Sequence, residues 1–120
     1  MAIESPITKE ANWFAGEEKT LRLVIYEEDG ETVQNISGYT LQWVLAKNKY
    51  AVPTLTKNMG ADGITIPTGS DGVVTIKIDR DDTKDLKGGT YFHTLWRIDA
   101  EQETVLTFGP AVLRKAARFP

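Results

Sequence analysis

The chain holds one histidine, His93, and no cysteine, so nucleophile–base chemistry has few components to draw on. A catalytic imidazole needs a reacting partner on one nitrogen and an orienting group on the other. His93 instead lies inside an alternating stretch, residues 90–99. Tyr91, His93, Leu95 and Arg97 share one face there, and Phe92, Thr94, Trp96 and Ile98 the other. A histidine so placed reads as an exposed or hydrogen-bonded packing residue. The three serines, Ser5, Ser37 and Ser70, stand beside Pro6, Gly38 and Asp71, where turn chemistry accounts for them. The chain has no Gly-x-Ser-x-Gly elbow, and Gly60, Gly63, Gly69 and Gly72 lack the Lys-Ser/Thr that completes a phosphate loop.

Carboxylates remain. Asp79, Asp81, Asp82 and Asp85 cluster, but Arg80 and Lys84 sit among them, and the glycine and glutamate spacing of a helix-loop-helix calcium site is missing. A capped polar turn explains the cluster, since Asp favours caps and turns. Glu27, Glu28, Asp29 and Glu31 surround Gly30 and read as a solvated hairpin tip. Two carboxylates suffice for glycoside hydrolysis, yet each one here has a structural explanation at a turn. The expectation is a non-enzymatic protein with no cofactor and no metal. Among the aromatics, Trp43 and Trp96 lie on strands whose apolar faces are expected to look inward. Trp13 and Phe14 stand together near the N-terminus, either at a protein interface or closing one end of the fold.

The elements are short and alternating. Residues 20–26 place Leu21, Leu23 and Ile25 on one face. Residues 39–46 do the same with Tyr39, Leu41, Trp43 and Leu45, and residues 73–79 with Val74, Ile76 and Ile78. Residues 54–57, next to Pro53, suit an edge strand, and residues 63–66 a short strand ending at Pro67. A single helical turn is expected over residues 83–87, with Asp82 as its cap. Residues 104–108 form a last hairpin partner, interrupted at Gly109-Pro110 before residues 111–115 resume. Seven or eight strands at this spacing predict an all-β, immunoglobulin-like antiparallel sandwich. The strongest single signal is the run Leu86, Gly88, Gly89, Tyr91, in which a tyrosine at the start of a late strand ties a turn back to upstream backbone. Leu86, Gly89, Tyr91, Trp43 and Trp96 are the expected fold anchors.

A chain of 120 residues amounts to one domain, able to bury a core without staples. Residues 1–15 read as an N-terminal arm or edge strand, 16–115 as the sandwich and 116–120 as a tail. The start of the chain lacks the basic and apolar segments of a signal peptide, and no apolar run approaches membrane length. Net charge is −3, which argues against nucleic acid as a partner. The charge is uneven. No acidic residue follows Glu103, whereas Arg114, Lys115 and Arg118 are basic. That end is either a solvated terminus or a partner for an acidic neighbour, a second copy included.

Four features in order resemble the N-terminal domain of tailed-bacteriophage baseplate upper proteins and related head or tail appendages. Gly16-Glu17-Glu18-Lys19 precedes the first strong strand, and Ile36-Ser37-Gly38-Tyr39 opens the Trp43 strand. Leu86 and Gly89-x-Tyr91 open the aromatic strand, and a charged hairpin leads to Phe108-Gly109-Pro110. The resemblance covers residues 16–115. It implies a structural protein of a phage particle, assembled in the bacterial cytoplasm, that oligomerises with itself or docks other virion proteins in the head, neck, tail or baseplate. The alternative is a small binding module for carbohydrate or a host surface. Ile3, Ile7, Trp13, Phe14, Arg114, Lys115, Arg118 and Phe119 are the expected protein-interface residues. Removing residues 1–14 is expected to impair assembly and spare the fold.

Overall fold

The computed structural model describes residues 3–8, 11–48, 50–60, 63–68, 71–99 and 103–115. Arg118, Phe119 and Ser70 lie outside the described residues, as does the side chain of Ile3. Eight strands and one helical turn appear among them: β1 Ile3–Glu4, β2 Lys19–Val24, β3 Leu41–Ala46, β4 Pro53–Asn58, β5 Ile64–Thr68, β6 Val73–Ile78, α1 Arg80–Thr83, β7 Gly89–Arg97 and β8 Thr104–Leu113. They form a five-stranded sheet, β1-β8-β7-β3-β4, and a three-stranded sheet, β2-β6-β5. All neighbours are antiparallel except β1 on β8. The protein is an all-β, immunoglobulin-like sandwich.

Alternation decides which residues fill the space between the sheets. Leu21 and Leu23 of β2 and Val74, Ile76 and Ile78 of β6 point inward from one sheet. Leu41, Trp43 and Leu45 of β3 and Tyr91, His93 and Leu95 of β7 meet them from the other. Register locks the second set in place, because Trp43 pairs with Leu95 and Leu45 with His93. A slip of one residue would turn every one of these side chains to the opposite face.

Trp96 is the first correction to the expected anchors. It pairs with Gln42 and Val105, which fixes it on the outer face of the five-stranded sheet, half-exposed. Trp43 is fully buried. The face carrying Phe92 and Trp96 has the larger aromatics, yet it is the face with the tyrosine and histidine that turns in. The corner at the start of β7 forces this choice. Tyr91 Oη donates to the Lys87 carbonyl at 2.7 Å, Leu86 packs on the core, and Gly89 takes a φ of 153°. Once Tyr91 is held inward, residues 93 and 95 must follow it.

Three local expectations also change. The helical turn lies at Arg80–Thr83, not over residues 83–87, because Asp82 accepts the Asp79 N–H at 2.7 Å and sets the turn earlier. The same carboxylate meets the buried ammonium of Lys57 on β4 at 2.6 Å, tying that edge strand to the corner. β5 runs through Pro67, which an edge strand tolerates. β8 is continuous through Gly109-Pro110, and its irregularity falls at Leu106, opposite the step from Leu95 to Trp96.

The N-terminal segment supplies the edge strand of the larger sheet and part of the core. Ile7 is buried and Trp13 fully so, its ring centroid 6.3 Å from that of Trp43. These two interface candidates therefore serve the interior of their own chain. The segment follows β8 in parallel: Ser5 N–H donates to Phe108 O, Ile7 N–H to Pro110 O and Val112 N–H to Ile7 O, and Arg114 N–H donates to Trp13 O. Trp13 is carried inward by a ladder of backbone bonds that its own type does not announce.

Candidate interaction surface

The side chains with the most chemistry are already engaged. In antibody domains the residue two after the corner tyrosine is a disulfide cysteine, against which a tryptophan of an earlier strand packs. Here that residue is His93, fully buried. The Trp43 indole N–H donates to its Nδ1 at 3.1 Å. That leaves the ring proton on Nε2, which donates to the Ser5 carbonyl at 2.6 Å. Burial holds the imidazole below its usual pKa, and the Ser5 carbonyl offsets this in part. With both nitrogens occupied, His93 has no lone pair or proton to offer a substrate.

The Ser5 carbonyl has a particular reason to be there. In the parallel ladder it would accept from the backbone N–H of residue 110, but residue 110 is proline. The imidazole takes the place of the missing donor.

The acidic clusters are turns. Asp29 accepts from the backbones of Glu31 and Thr32 and from the Thr32 hydroxyl. The Thr32 hydroxyl and then the two backbone donors hold its carboxyl below the ordinary range. Asp82 and Lys57 form an ion pair. Among the described residues no group of three or more His, Asp or Glu stands together to hold a metal.

What remains is a surface. The outer face of the five-stranded sheet presents Gln42, Val44 and Ala46 from β3, and Thr56 and Asn58 from β4. β7 adds Thr90, Phe92, Thr94 and Trp96, and β8 adds Val105, Phe108, Pro110 and Val112. β1 adds a charge, Glu4, exposed and paired with Phe108. The positions from β3, β4, β7 and β8 are uncharged, in a chain where charged residues make up 26% of the total. Register aligns them in rows: Trp96 between Gln42 and Val105, Thr94 between Val44 and Phe108, Phe92 between Ala46 and Pro110. The rings of Phe92 and Phe108 lie 6.1 Å apart, tilted by 32°.

Apart from Glu4, the charges named around this face sit at its two ends. At one end Thr104–Leu106 borders Glu27 and Glu28 across a shallow cleft, Glu103 precedes β8, and Arg97 is engaged with Asp99 at 2.9 Å. At the other end are Arg114 and Lys115, both exposed. The Arg114 guanidinium lies 4.9 Å over the half-buried Phe14 ring and donates to Asn12 at 3.1 Å. Of the expected interface residues, Phe14, Arg114 and Lys115 therefore gather at one end of the sheet. The apolar stripe itself was not anticipated. Its signal was available in the alternation of residues 90–98 and 104–112, read as two faces rather than as one core face.

The chain matches no family model and no curated protein. Among solved structures it is similar to the NK cell receptor Nkp44, described as a triggering partner in natural cytotoxicity. Identity is 13%, over 97% of this chain and 99% of that one, with a TM-score of 0.46.

Proposed function

We propose that this is a non-enzymatic structural protein of a phage particle, a docking adaptor of the head, neck, tail or baseplate that engages its neighbours through the outer face of the five-stranded sheet. The observation carrying this reading is the charge-poor face bearing the partly exposed rings of Phe92, Trp96 and Phe108, with Glu4 at its β1 edge. Charge depletion with aromatic enrichment marks the centre of protein interfaces. Placement in a phage particle rests on the four-part resemblance of residues 16–115.

The test is made on particles purified from the host. An antibody to the chain is expected to label them at a fixed position. Particles assembled with Thr94→Arg, which puts a charge at the middle of the face, are expected to lose the label while the variant still folds. A chain absent from purified particles would reject the reading.

A further inference from the structure

We propose that the chain associates with a second copy of itself by a loop entering a cleft: the β3–β4 loop of one copy fills the cleft between β8 and the hairpin after β2 of the other. The cleft shares only Val105 with the outer face of the larger sheet, and the proposal does not rest on the particle reading.

Three large hydrophobic residues are exposed among the described residues: Tyr50 at 86%, Val52 at 84% and Val33 at 39%. Scattered exposed apolar residues are ordinary, but these fall in two places. Tyr50 and Val52 belong to the loop over residues 47–52, between β3 and β4. The sequence sets Lys47 and Lys49 beside them, and Lys47 is exposed. Val33 pairs with Tyr26 across the hairpin that follows β2, and opposite residues of an antiparallel pair share a face. Tyr26 in turn lines a cleft of about 310 Å³ together with Val105, Leu106, Glu27 and Glu28. One place is apolar with cations and stands in solvent. The other is apolar with anions and is recessed.

The two lie at opposite ends of the strands. β3 reaches the loop beside the start of β7, where Ala46 pairs with Phe92. The cleft lies beside the end of β7, where Thr104 pairs with Arg97. Five residues of strand separate Phe92 from Arg97, about 17 Å at the usual rise, and the loop continues from β3 away from the cleft. A copy therefore cannot fill its own cleft, and the occupant comes from another. Tyrosine is among the residues most often found anchoring an interface. The cleft matches the small end of the about 300–1,000 Å³ that ligand pockets occupy. Lys47 against Glu27 and Glu28 supplies the charge complementarity that sets the loop's orientation. Such a loop falls well short of the roughly 20–30 residues a side of a standard interface, so the association is expected to be reversible and concentration-dependent. Two unlike surfaces pair either reciprocally, as a closed dimer, or one way, as a ring or an open row.

The experiment is sedimentation velocity on the full chain from low-micromolar to millimolar concentration, at low and high salt. The wild type is expected to form species larger than the monomer, less readily in high salt. Val52→Asp spoils the loop and spares the cleft, and Glu27→Arg does the reverse. Both residues are exposed, so each variant is expected to keep its melting midpoint while associating about tenfold or more weakly. Mixed in equal amounts, the two are expected to form a one-to-one dimer, since the intact loop of one enters the intact cleft of the other. A general loss of solubility or fold would not produce that rescue. A folded wild type that stays monomeric at millimolar concentration overturns the proposal, as does a mixture of folded variants that fails to pair. Association that ignores Glu27→Arg marks a contact of loop on loop and also overturns it. So does association lost with Thr94→Arg but kept with Val52→Asp, which places the contact on the outer face instead.

Discussion

His93 works as a structural crosslink between three segments: its own strand β7, the Trp43 strand β3 and the N-terminal segment at Ser5. The arrangement requires the neutral ring, because a proton on Nδ1 would face the Trp43 N–H donor to donor. The consequence for stability has a definite sign. The unfolded histidine takes up a proton near pH 6.5, while the folded one, buried, resists it to lower pH. The unfolded state then binds more protons, so stability falls as pH drops below 6.5 and is level above it. Melting midpoints measured between pH 7.5 and pH 5, above the range of most carboxylates, should show this decline, and His93→Gln should flatten it. Tyr91 acts at the same scale. Its hydroxyl bond to Lys87 O is expected to contribute about 1 kcal/mol, so Tyr91→Phe should lower denaturant stability by that amount. An unchanged unfolding midpoint would separate the hydroxyl from the corner.

At the scale of elements, β8 carries the larger sheet. It pairs with β7 on one side and with the N-terminal segment on the other, and it contributes the apolar half of the outer face. Pro110 removes one donor from its parallel side and His93 replaces that donor from the neighbouring strand. The two residues should therefore be energetically coupled. In a double-mutant cycle, Pro110→Ala restores a backbone donor for the Ser5 carbonyl, and His93→Leu should cost less in that background than in the wild type. A coupling of about 0.5–1.5 kcal/mol, the size of one net hydrogen bond, is expected. Purely additive free energies would show that the imidazole does not stand in for the ladder.

At the scale of the whole molecule, the N-terminal segment belongs to the sandwich. Ile7 and Trp13 fill its interior, and burying a tryptophan is worth about 3–5 kcal/mol by truncation, a large part of a typical domain's 5–15 kcal/mol. Deleting residues 1–14 is accordingly expected to lower the melting temperature severely or abolish the cooperative transition, in contrast to the sequence-based expectation that the fold survives. Thermal unfolding followed by circular dichroism decides between them. A truncated chain with a native-like transition would mean that the remaining sandwich closes over the gap.

Much of the fold was legible along the chain because it depends on local physics. Alternation places Leu21, Leu23, Val74, Ile76 and Ile78 on inward faces, and the glycines and acidic residues between the strands mark the turns. The corner from Leu86 to Tyr91 identifies the sandwich, since its hydrogen bond spans only four residues. What tertiary structure alone decided is which of two possible faces turns inward. β7 has aromatics on both sides, and periodicity is symmetric between them. Only the pairing of Trp43 with Leu95 and the tether at Tyr91 break that symmetry, burying His93 and leaving Trp96 on the surface. The fate of Trp13 was hidden for the same reason. Its burial follows from a parallel ladder with a strand about a hundred residues away, and no local pattern reports a partner that distant.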